Sequence, residues 1–139
     1  VTEEGNNMAY MSQEKKSKLS PDIKAVMKKY GLKGSIAVRN HSTLVVNIKS
    51  GSIDFIGNFN EVNEHFRPNF QKATVSLSPN PYWYSEHFSG KAKECLAELF
   101  TAMNIGNHDN SDIQADYFDV GWYVDVNVGQ WVKPYILEK

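Results

Sequence analysis

The hydrophobic pattern of this 139-residue chain changes period three times, and that alternation constrains the fold more than any single motif. Ile23, Val26, Met27 and Tyr30 recur at i, i+3, i+4 and i+7, one apolar stripe of a helix. Ser20-Pro21-Asp22 supplies an N-cap serine, a proline suited to the first helical position and an acid in the first turn. Lys28 and Lys29 suit the carbonyl end, and Gly31 suits a left-handed cap. Ser12 is placed to cap a separate short helical stretch from Gln13 to Lys18.

The period then drops to two. Ser35 to Arg39 and Leu44 to Lys49 are rich in β-branched residues, and the polar Asn40-His41-Ser42-Thr43 divides them, which predicts an antiparallel hairpin. After a Ser50-Gly51-Ser52 turn, Ile53 to Ile56 is an expected third short strand. From Gly57 to Tyr84 the pattern fades: Glu61 to Phe66 has room for one helical turn, and Pro68, Pro79 and Pro81 interrupt regular structure. The aromatics of this stretch favour an ordered, packed segment.

Helical spacing returns in Ala92, Cys95, Leu96, Leu99, Phe100 and Met103, with Ser89 as N-cap and Gly106 as stop. Ser111-Asp112-Ile113-Gln114 has the form of a capping box and predicts a brief helix ending near Tyr117. Trp122, Val124, Val126 and Val128 then alternate with polar residues as a half-buried strand does. Gly129-Gln130 fits a two-residue hairpin turn, and Trp131 to Ile136 an edge strand that tolerates Pro134. The expected fold is α+β: an antiparallel sheet of four to five strands, with two main helices packed on one face. The expected order is helix, strand, strand, an optional strand, helix, strand, strand. Residues 12–139 are expected to form this single domain and residues 1–11 a flexible tail. Val1 to Asn7, polar and ahead of Met8, are expected to lie outside the fold.

Composition narrows the setting. Hydrophobic residues at 41% and a net charge of −1 favour a packed domain over disorder. A lone cysteine suits a reducing cytoplasm, and no apolar run is long enough to span a bilayer, so no membrane partner is expected. Residues 1–50 carry a net +5 and residues 51–139 a net −6. A basic segment of this kind meets phosphate or an acidic partner, although a lysine-rich helix also arises simply as a solvated face.

Two stretches, YGLKGSIAVRNHSTLVVNIKSG (Tyr30 to Gly51) and DYFDVGWYVDVNVGQWVKPY (Asp116 to Tyr135), carry a family resemblance together with NPYWY (Asn80 to Tyr84). In them the chain resembles small uncharacterised proteins of tailed bacteriophages and bacterial mobile elements, and more faintly the accessory modules of large polyvalent proteins. The resemblance implies an accessory protein made inside a bacterial cell, and it carries no catalytic residues with it.

Candidate sites follow from residue chemistry. Lys15, Lys16, Lys28 and Lys29 on the basic helix, with Arg39, Asn40 and His41 at the hairpin tip, can face an anionic partner. Tyr82 and Trp83, with basic residues nearby, can stack on bases, although core packing is the favoured account of them. His108, Asp109 and Asp112 are proper metal donors, although turn and cap preferences explain the same composition. Cys95 falls inside an apolar stripe and is expected to be an inert buried thiol. No phosphate loop, dinucleotide fingerprint or zinc pattern is present, so no cofactor is expected. The expected function is a non-enzymatic binding module for nucleic acid or a host protein. One alternative is a small metal-dependent hydrolase or nuclease. Another is a structural protein that pairs with a second copy through the C-terminal edge strand, at Trp131 and Tyr135.

Overall fold

A computed structural model of the chain describes residues 10–64, 72–107 and 121–138. Its elements are α1 (Gln13–Lys29), β1 (Leu32–Arg39), β2 (Thr43–Gly51), α2 (Phe55–Glu64), α3 (Tyr84–His87), α4 (Gly90–Met103), β3 (Tyr123–Val128) and β4 (Ile136–Leu137). Of the expected tail, Tyr10 and Met11 are described: Met11 is buried, and the Tyr10 N–H donates to the Gly121 carbonyl at 2.9 Å.

The two N-terminal helical stretches are one helix. Ser12 is its N-cap, accepting from the Lys15 N–H, and Pro21 lies in the interior of α1 rather than at a helix start. An interior proline costs roughly 3 kcal/mol. Leu19, Ile23 and Met27 share one stripe across it and all are buried, each contributing about 1.5–3 kcal/mol, so continuity wins. Pro21 itself stays on the exposed side.

β1 and β2 form the expected antiparallel hairpin, pairing Val38 with Leu44 and Ile36 with Val46. The sheet as a whole is mixed, which corrects the all-antiparallel expectation: β3 runs parallel to β2 along Thr43–Ile48, and β4 runs parallel to it at Ser50–Gly51. Among the described residues three helices separate β2 from β3, and a connection of that kind lets the chain return in the same direction. The expected third strand at Ile53 to Ile56 is instead the entry to α2. The Asp54 carboxylate accepts from the Gly57 N–H at 2.9 Å and caps that helix.

The expected C-terminal hairpin does not form. Leu77 already occupies the far edge of β3, exchanging both backbone bonds with Val128 at 3.0 and 2.8 Å. A returning strand has no edge to pair with there. The chain leaves the sheet at Gly129 (φ 73°), turns through a reciprocal Gln130–Lys133 pair, and rejoins the same edge of β2 as β4. Gly129 cannot be replaced cheaply, because an added Cβ would stand 2.5 Å from the Tyr135 nitrogen.

The core lies on one face of the sheet. Leu44, Val46 and Ile48 of β2 and Val126 and Val128 of β3 pack with Leu19, Ile23 and Met27 of α1 and the apolar stripe of α4. The other face carries the odd-numbered side chains of β2. There Arg39 of β1 crosses above β2 to reach Asp125 of β3 at 2.9 Å, over a buried Val45.

Candidate functional site

The helix and hairpin residues singled out in the sequence separate into two groups at opposite ends of α1, about 20 Å apart along the helix axis. At the N-terminal end lies the hairpin tip. Asn40 and His41 both take positive φ, 54° and 56°, as a type I′ turn demands, and the Ser42 N–H closes the turn on the Arg39 carbonyl at 3.2 Å. The tip is fastened on two sides: the Met11 N–H donates to the His41 carbonyl, and the Tyr123 N–H to the Ser42 carbonyl.

Lys15 stands beside this tip, its ammonium 5.2 Å from the Trp122 ring centre and 5.9 Å from that of Tyr10, within cation–π range. Lys16 bonds Gln13 at 3.4 Å, and Arg39 is held by Asp125. The cations at this end are therefore largely committed to internal partners, while the Asn40 and His41 side chains remain exposed.

The other end is different. The last turn of α1, the Gly31 turn, the start of β1 and the first turns of α4 enclose two adjoining hollows. The first, about 500 Å³, has Met27, Leu32 and the Gly31–Gly34 turn beneath Lys24, Lys28 and Lys33. The second, about 560 Å³, is lined by Lys28 and Lys29 of α1 and by Lys91, Glu94 and Glu98 along one face of α4. Lys28 belongs to both hollows. Packing of α1 against α4 creates the arrangement, and Gly31 (φ 67°) turns the chain tightly enough to bring Lys33 back toward Lys24.

Electrostatics within this end divide the lysines into two kinds. Lys29 donates to Glu98 at 2.9 Å, and Lys33 to Glu138 at 3.3 Å. The Glu98 carboxyl is held below the usual carboxylate range by the Lys29 hydrogen bond first and the Tyr30 hydroxyl second. The same carboxylate pushes the Tyr30 phenol up to about 12. Lys24, Lys28 and Lys91 have no carboxylate partner among the described residues. Lys24 and Lys28 also stand one helical turn apart, where like charges repel by a few tenths of a kcal/mol, and a bound anion would relieve that repulsion.

Tyr82 and Trp83 line neither hollow and are exposed at 70% and 58% on the turn that enters α3. The Asn80 side chain holds that turn by accepting from both of their N–H groups, and Tyr84 turns inward against Phe100 with ring centres 5.0 Å apart. His108, Asp109 and Asp112 lie outside the described residues, as does the helix expected near Tyr117. Among the described residues no three or more His, Cys, Asp or Glu side chains gather as a metal site would require. Cys95 is buried, and burial pushes its thiol up to about 12, so it is not a nucleophile at neutral pH.

Sequence reasoning missed Lys24, Lys33 and Lys91 as members of the basic end. Lys24 was readable, since it precedes Lys28 by four on the same helix face. Lys91 was not, because only the packing of two helices 60 residues apart in sequence brings it to Lys28. No helix among the described residues is long and apolar enough to cross a membrane. No family model matches the chain, and no curated protein or solved structure does so either.

Proposed function

We propose that this domain is a non-enzymatic nucleic-acid-binding module, an accessory protein of phage or mobile-element type, that meets the phosphate backbone at the basic end around Gly31. The observation that carries the reading is the convergence of Lys24, Lys28 and Lys91, all exposed and without carboxylate partners among the described residues, on two hollows that share Lys28. Ammonium groups held this way replace the condensed counterions of a nucleic acid, and no base need be read. Three reactive groups among the described residues, by contrast, already serve the fold. The Cys95 thiol is buried, the Glu98 carboxylate is shared by Lys29 and Tyr30, and His87 Nδ1 is hydrogen-bonded to Asn63 Oδ1 at 2.6 Å.

Fluorescence anisotropy with labelled single- and double-stranded DNA and RNA, across a salt series, tests the proposal. With three or four phosphates contacted, log K against log salt on duplex should slope at about −3. The triple variant K24A/K28A/K91A should lose most of the binding, whereas K15A/K16A should bind nearly as well as the parent. An absence of binding to all four nucleic acids at low salt, or equal affinity in the triple variant, would refute the reading.

A further inference from the structure

The detour between β3 and β4 has a consequence on the face of the sheet that no helix covers among the described residues. Because the chain leaves at Gly129 and rejoins at Ile136, residues 130–134 stand beside the sheet as a wall. Ser35, Asn47 and Lys49 lie at its foot. Together they enclose a hollow of about 670 Å³, within the size range of small-molecule sites.

Its lining combines two chemistries. Pro134 and Ile136 give an apolar side, and Ile136 is 63% exposed although it sits in a strand. Lys49 and Lys133 give a cationic side; neither has a carboxylate partner among the described residues, and no acid lines the hollow. The Ser35 hydroxyl and the Gln130 amide add neutral hydrogen-bonding groups.

The walls are fixed by bonds that a ligand would not have to form. The Gln130 N–H donates to the Lys133 carbonyl at 2.8 Å, and the Lys133 N–H returns the bond at 3.1 Å. The Tyr135 N–H donates to the Val75 carbonyl, and its hydroxyl reaches the Ile53 carbonyl at 2.7 Å. On the floor, Asn47 accepts from Asn127, whose own Oδ1 accepts from the Ser78 hydroxyl. A pre-formed hollow of this kind binds without the entropy cost of ordering its walls.

We propose that this hollow is a binding site for a small organic anion: an apolar body laid against Pro134 and Ile136, with one phosphate or carboxylate between Lys49 and Lys133. The site shares no residue with the two hollows of the basic end, so it stands or falls independently of nucleic-acid binding.

Phenyl phosphate, benzoate and inorganic phosphate are suitable probes, followed by amide chemical shifts on the full chain. Phenyl phosphate should perturb Ser35, Lys49, Gln130 and Ile136, and phenyl phosphate against benzoate tells which anionic group the site prefers. K49A/K133A should weaken phenyl phosphate about five- to ten-fold, the scale of two exposed ion pairs. Ile136→Ser should weaken phenyl phosphate while leaving inorganic phosphate unchanged, and K24A/K28A should change neither. The proposal is overturned if shifts centre on Lys24 and Lys28, if K49A/K133A binds all probes as the parent does, or if inorganic phosphate binds as tightly as phenyl phosphate.

Discussion

The region built from α1, β1, β2 and α4 and the region running from α2 to Ser89 share one core, but the second enters it through a few aromatic anchors, Phe55 and Phe88, and adds side-chain amides. In the first, apolar stripes at helical and strand spacing meet in a common core, and every large side chain of the α4 stripe is buried. In the second, asparagines fasten the chain. α2 carries Asn58, Asn60 and Asn63; Asn58 and Asn63 reach the stretch from His87 to Ser89, and Asn60 reaches Ala73. Asn58 pairs with Ser89 through two bonds of 2.9 Å, and Asn60 with the backbone of Ala73 through two of 2.8 Å. Asn63, buried, bonds both the ring and the carbonyl of His87. A carboxamide offers one acceptor and two donors, so it can imitate a strand neighbour where no strand exists. The comparison teaches that periodic apolar stripes set the frame of this molecule, and isolated aromatic anchors together with side-chain amides attach to it the stretch without a clear period.

The largest break in this contrast should come from the core. Leu99→Ala should cost about 3–5 kcal/mol, lowering the denaturant midpoint of the whole domain with the slope unchanged. Asn63→Ala should cost about 1–3 kcal/mol, because it removes a buried amide and strands its half-buried partners on His87. Hydrogen exchange would show the difference in kind: α2 and α3 amides should lose protection while β2 amides keep theirs. Uniform loss across the domain would mean the asparagine-held region is not a separate cooperative unit.

The smallest expected effect is a pH effect at the seam of α1 and α4. The Glu98 carboxyl is depressed in the folded state by Lys29 and Tyr30, so its contribution is present above the ordinary carboxylate pKa and fades as pH falls through the folded value. The parent should therefore be more stable than Glu98→Gln at neutral pH, with the two curves converging below about pH 4. Parallel curves across that range would show that Glu98 titrates alike in both states.

Much of the frame was legible because burial imposes a period. The stripe of α4 is complete in the sequence from Ala92 to Met103, and so is the alternation of β1 and β2 around Asn40-His41. α2 was read as a strand at its start because Ile53-Asp54-Phe55-Ile56 is too short to separate two periods from four. Its asparagines are poor helix formers in isolation and act only through partners distant in sequence. The candidate site divides along the same line. Lys28 and Lys29 could be picked out from helix position alone, whereas Lys91 and the Lys49–Lys133 hollow depend on contacts between distant segments.

Local chemistry along the chain was enough to determine the two principal helices, the first hairpin and the basic character of its N-terminal third. Tertiary structure alone decided that β3 runs parallel to β2, that the C-terminal segment detours instead of folding back, and which lysines stand together. The reason is physical: a period records only which side of an element is buried, and the partner of an edge depends on what else has claimed it. Here Leu77 claimed the edge of β3, and the detour that follows shapes the open face of the sheet.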